Sequence, residues 1–270
     1  GQLLMGAIFG GGLALWFTQQ KIGLHPWAFF PLGVLAGALG GAFWAAIVAW
    51  LRQQFNANEI LVSLMLVYVA NFFLSYLVFG PWRDPQGFNF PQTVTFAAET
   101  SVPRMMTGFR LNWGFVLALL AALGMALFMF RSFRGYQLQV GGLAPAAARY
   151  AGFSPDRAVW LTLLTSGALA GAAGAIEANG PLGQLTPHVS TGYGFTAIIV
   201  AFVGRLHPMG CVLGAVLLSM FLIGGELAQS RIGLPSALAS VFQGVLLFSL
   251  LACDTLIHSK LVWRSKAVVV

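Results

Sequence analysis

The sequence predicts an all-α, polytopic transmembrane helix bundle. Its 270 residues are 58% hydrophobic and 8% charged, and its mean hydropathy is +0.82. A soluble domain carries roughly 25% charged residues, so this chain cannot cover a water-facing surface. Its apolar runs approach or exceed about 20 residues, the length of helix that crosses hydrocarbon. They also lack the apolar/polar alternation of a barrel strand, which leaves helices to satisfy the backbone within lipid.

About eight apolar segments are visible in order, and together they read as one transmembrane domain over 1–270. The first, about 1–17, has neither a basic leader nor a small-residue cleavage site, so it reads as a membrane helix rather than a signal peptide. A start without methionine inside an apolar run predicts a chain truncated at its N-terminus. The second, 27–51, places Gly33, Gly37 and Gly41 four apart, a spacing that lets helix backbones approach closely in lipid. The third, 60–80, is opened by Glu59 in NANEI and carries Asn71 near its middle. A Pro-, Thr- and aromatic-rich loop, 81–110, follows and is predicted to pack as a lid over the outer mouth.

The fourth segment, 111–130, leads into a polar loop at 131–157 with four arginines. One short helix is predicted within that loop. Pro145 suits a first helical turn, where its missing N–H costs nothing. Gly152 suits a left-handed cap, and Pro155 stops continuation. Two turns are unstable alone in water, so packing must hold this helix. Segment 158–176 repeats the small-residue spacing with Gly167 and Gly171, and 210–230 does so with Gly210 and Gly214. Segment 194–204 is too short for a straight crossing and reads as a half-helix, either spanning or re-entrant. The last segment is 237–256.

Basic residues set the orientation. Alternate loops place Arg52, Arg131, Arg134, Arg149, Arg157, Arg205, Lys260, Arg264 and Lys266 on one side, against Lys21, Arg83, Arg104, Arg110 and Arg231. The richer side, with 131–157 and the C-terminal tail, is assigned to the cytoplasm, and 81–110 to the outside. The net charge of +7 then reflects loop topology rather than nucleic-acid binding.

Ionisable groups at membrane depth are expensive and are candidate functional residues. Glu177 closes its segment, Glu226 sits near the outer end of its helix, and Asp254 lies close to His258 and Lys260. Ion pairing or snorkelling accounts for Asp254. Asn71 either meets a polar solute or hydrogen-bonds to a neighbouring helix. Asn71, Glu177 and Glu226 are therefore the substrate-path candidates. The four histidines include no i, i+4 pair, so no zinc-binding pattern appears. Cys211 and Cys253 both fall in apolar runs, and no nucleophile-elbow motif occurs. The three lysines precede Ile, Leu and Ala, so the G-x-x-x-x-G-K-[ST] phosphate loop is missing. Any ATP hydrolysis belongs to another chain, and no cofactor is expected on this one.

Five stretches carry a family resemblance: GQLLMGA at 1–7, NEILVSLMLVYVA from Asn58 to Ala70, GLAPAAARYAGF at 142–153, SGALAGAAGAIE at 166–177, and GYGFTAIIVAFVGRLHPMG at 192–210. In order and together, they resemble permease subunits of bacterial ABC importers for simple sugars and nucleosides, a family that includes branched-chain amino acid permeases. The resemblance implies a multi-pass chain of the cytoplasmic membrane forming a path for a nucleoside or a simple sugar, with the nucleoside type favoured. It also implies a separate ATPase, a second permease chain and an extracytoplasmic solute-binding protein as partners. It assigns the coupling helix to Pro145–Gly152, through Pro145, Ala148, Arg149, Tyr150 and Gly152, with Arg149 and Tyr150 contacting the ATPase. One or two earlier membrane helices are implied before Gly1. An ion-driven secondary transporter is the rival reading, with Glu177 and Glu226 as its coupling carboxylates.

Overall fold

Three prolines open three of the long helices, each behind a residue that caps it. His25, Ser154 and His207 precede Pro26, Pro155 and Pro208, and each cap accepts a hydrogen bond from a backbone N–H of the first turn. Proline's fixed φ and absent N–H suit that position. The computed structural model describes residues 1–258 apart from 21, 22, 24, 88, 89, 106–110, 191 and 234–236. Lys21, Arg110, Lys260, Arg264 and Lys266, with the side chains of Asp254 and His258, lie outside the described residues.

The chain divides into two units, residues 1–191 and 192–270. The first holds α1 (Gln2–Gln20), α2 (Pro26–Phe55), α3 (Glu59–Phe79), α4 (Trp113–Arg131), α5 (Phe133–Leu143), α6 (Pro145–Tyr150) and α7 (Pro155–Glu177). A π-turn, Ala178–Leu182, continues α7. The second unit holds α8 (Tyr193–Val203), α9 (Pro208–Ile232) and α10 (Ala237–His258). Among the described residues the only extended pairings are two isolated bridges, Arg83 with Thr93 and Arg104 with Asn112. Among the described residues, five helices are long and apolar enough to cross a membrane: α2, α3, α4, α7 with its π-turn, and α9.

The glycine stripes meet each other. A Cβ built on Gly171 would strike the Gly37 carbonyl and lie 2.8 Å from Gly41 Cα, and one on Gly6 would strike the Gly171 backbone. Gly40 faces Met5 and Phe9, while Gly10 faces Gly33 and Ala175. Hence α1 and α7 run parallel, with α2 antiparallel to both. α1 is enclosed: Leu4, Met5, Ala7 and Ile8 are all buried in succession. Its surroundings include Phe29 of α2, Ala70, Leu74, Leu77 and Val78 of α3, and Phe96, Leu185 and Val189 of the loops that follow α3 and α7. α4 buries only Gly114, as suits a helix facing lipid or a partner.

The described part of the loop, 81–87 and 90–105, packs as a layer on the ends of α1 and α7. Thr93 N–H donates to Leu185 O at 3.0 Å, and Leu185 N–H donates to Thr93 Oγ1 at 2.9 Å. Phe96 N–H reaches Gly183 O and Val102 N–H reaches Asn179 O. Ala97 N–H reaches Thr18 Oγ1 on α1. Trp27 and Trp113 stack edge to face at 5.0 Å where α2 and α4 begin.

In the second unit, α8 and α9 form a tight hairpin. Arg205 and Leu206 both take positive φ, and Gly210 sits against Gly204 with no room for a Cβ. At 11 residues, α8 is about 16 Å long, roughly half the hydrocarbon core.

Candidate functional site: the basic hairpin of α5 and α6

The polar loop folds as two helices, not one, which corrects the sequence reading. Ser132 ends α4 and starts α5. Its Oγ donates to Phe128 O at 2.6 Å and accepts from Gly135 N–H at 2.9 Å. Gln139 Nε2 reaches back to Met129 O at 2.6 Å. Gly135 is required there, because a Cβ would meet the Phe128 and Met129 backbone. Three glycines in FRGYQLQVGGL weaken helix propensity, which is why the pattern hides α5. The signal that reveals it is the Ser132 cap.

α6 lies where the sequence places it. Pro145 ends α5 and occupies the first turn of α6. Gly152 takes φ +80°. Phe153 N–H donates to Ala148 O at 2.9 Å and Gly152 N–H to Arg149 O at 3.0 Å, the paired bonds of a Schellman cap. Phe153 then packs edge to face on Phe133, with centroids 6.1 Å apart, tying the end of α6 to the start of α5. Ala148 is buried at 5% exposure and is the inward anchor. Arg149 is exposed, and Tyr150 is 97% exposed. Of the five residues assigned to this helix, Ala148 thus faces the chain, Tyr150 faces away, and Arg149 is exposed at the edge of the space behind the helix.

Behind the hairpin is a cavity of about 840 Å³ between α5, α6 and α7, with Glu59 of α3 on its wall. Arg134, Arg149 and Arg157 come from three different helices to line it. Glu59 is engaged by Arg52 at 3.1 Å. Arg52 also donates to Ala57 O at 3.2 Å, and Asn58 caps α3 through Oδ1, so the α2–α3 turn is held from both sides.

The substrate-path candidates stand apart along the chain. Asn71, half-buried in α3, donates from Nδ2 to Val67 O at 3.0 Å within its own helix. Glu177, half-buried, ends α7 at the π-turn. Glu226 is exposed on α9 in the second unit. Sequence reasoning missed Asn179. It is 3% exposed, its Oδ1 has no hydrogen-bond partner among the described residues, and its Nδ2 faces Gly33. The string ANGPL reads as an ordinary turn, and it is tertiary packing, with Gly33 of α2 against the side chain and Val102 bonded to the backbone, that encloses it.

Residues 1–251 match the family described as branched-chain amino acid transport system permease components. The chain belongs to this family of transport-system permeases. The chain is similar to a glucose ABC transporter permease of Haloferax volcanii, 32% identical over 94% of this chain and 68% of the relative. A guanosine ABC transporter permease of Bacillus subtilis is 29% identical over 92% of this chain and 70% of its own. A nucleoside ABC transporter permease of Lactococcus lactis is 26% identical over 90% and 68%. No solved structure matches. The permease is a multi-pass protein of the cytoplasmic membrane, and a permease component is by description one part of a larger transport system.

Proposed function

We propose that this permease forms the translocation path of an ATP-driven ABC importer for a nucleoside or a simple sugar, and that α6 is its coupling helix. One observation carries the reading. A two-turn helix lies on the permease body, braced from inside by Ala148 and the Phe153–Phe133 contact, with Arg149 and Tyr150 exposed. A helix this short melts without support. The bracing makes it a rigid lever that an ATPase groove can grip.

The second permease chain completes the path, a solute-binding protein delivers substrate from outside, and ATP is bound by the partner. Energy enters because ATP favours one state of the assembly over the other. α6 passes the resulting motion to α5 and α7. The substrate class rests on relatives named for glucose, guanosine and nucleosides.

The decisive experiment replaces Arg149 and Tyr150 together by alanine and measures co-purification with the ATPase and ATP-dependent uptake of labelled guanosine and glucose. Both readouts are expected to fall at least about tenfold, since buried Arg and Tyr contacts each account for about 1–2 kcal/mol or more. Unchanged values for both would exclude the coupling role. Uptake that survives loss of the ATPase and collapses with the ion gradient would instead establish a secondary transporter.

A further inference from the structure

We infer that the cavity behind the α5–α6 hairpin is a binding site for an anionic phospholipid of the adjoining leaflet. Its mouth and its floor differ in chemistry. Arg134, Arg149 and Arg157 line it from three helices, and none of them takes part in an ion pair among the described residues. Two carboxylates lie near: Glu59, already held by Arg52, and the exposed Asp156 in the first turn of α7. The balance at the mouth is therefore cationic.

The floor is apolar, with Met129 at the end of α4, Leu138 of α5, and Leu161 and Leu163 of α7. Leu163 is eight residues beyond Pro155, which opens α7. At 1.5 Å per residue the wall descends about 12 Å along a membrane-spanning helix. The cavity thus starts at headgroup level and runs into the hydrocarbon layer.

A free phosphate or an acidic protein segment would use the arginines and leave this apolar wall without a function. A phospholipid uses both: guanidinium groups bind phosphate oxygens through paired N–H donors, and acyl chain covers the leucines. Basic pockets between membrane helices on the cytoplasmic side hold acidic headgroups in this way. A volume near 840 Å³ admits a headgroup with the start of its chains. The site shares Arg149 with the proposed coupling helix, whereas Arg134 and Arg157 lie outside α6 and so separate the two roles in a test.

Native mass spectrometry of the detergent-released full chain, exchanged into mixed phosphatidylglycerol and phosphatidylcholine, tests the inference. Wild type is expected to retain phosphatidylglycerol in preference. The Arg134→Gln/Arg157→Gln variant should lose that preference by roughly 25-fold, given about fivefold for each of the two basic residues at the interface. Arg134→Lys/Arg157→Lys should keep most of it. Equal retention of the two lipids by wild type would overturn the proposal without reference to any variant. So would an unchanged preference in the glutamine variant, or loss of ATPase co-purification with lipid retention intact. The last would make the cavity a protein-docking surface.

Discussion

Gly171 has no room for a methyl group. Its Cβ position is filled by the Gly37 carbonyl and by Gly41 Cα and N, both at 2.8 Å, and all of these are backbone. No side chain can swing away, so α2 and α7 would have to separate. Gly171→Ala is expected to destabilise the permease by about 1–3 kcal/mol, the usual cost of overpacking a close-packed site. Gly124→Ala is the control. Nothing lies within 4 Å of its Cβ position in α4, and helix propensity favours alanine by about 1 kcal/mol. Detergent-solubilised melting curves should fall for the first and hold or rise for the second; equal shifts would refute the backbone-contact account. The four-residue spacing of Gly33, Gly37, Gly41, Gly167 and Gly171 was legible in the sequence because helical period and small size are local properties. That these two stripes pack on each other was not legible, since spacing does not name a partner. Asn179 was hidden for the same reason: its burial comes from tertiary packing, with Gly33 on another helix against the side chain.

The element that defines the candidate site is held by one ring contact and one cap. Phe133 opens α5, Phe153 closes α6, and their rings meet at 6.1 Å and 89°. Such a pair contributes about 0.5–1.5 kcal/mol beyond area burial. If it braces the lever, Phe133→Ala and Phe153→Ala should each lower ATP-dependent uptake, and the double variant should be no worse than the poorer single one. That non-additivity is the mark of residues acting through a shared contact. Fully additive losses would mean the two rings act separately. α6 was legible because proline and glycine punctuate it, at Pro145 and at Gly152 with φ +80°. α5 was not, because its Gln139–Met129 and Ser132–Phe128 bonds fold it back on α4 through polar contacts that leave no apolar period.

At the scale of the whole molecule, sidedness is the property that every functional statement depends on. The sequence reaches it only through the distribution of Arg and Lys, nine against five, a modest excess. The helices supply a stricter constraint. Glu99 and Tyr150 are both exposed, and among the described residues between them α4 is the only helix long and apolar enough to span. One crossing must put the two residues on opposite faces, whichever face is which. The loop carrying Glu99 is fastened by main-chain bonds to the end of α7, so it cannot slip through to the side of α6. With Cys211 and Cys253 replaced by serine, Glu99→Cys and Tyr150→Cys can be labelled in intact cells with a membrane-impermeant maleimide. Cys at 99 should react at once, and Cys at 150 only after permeabilisation. Reaction of both in intact cells would break the single-crossing topology. The reverse pattern would keep the topology, invert the orientation, and remove α6 from reach of any cytoplasmic ATPase.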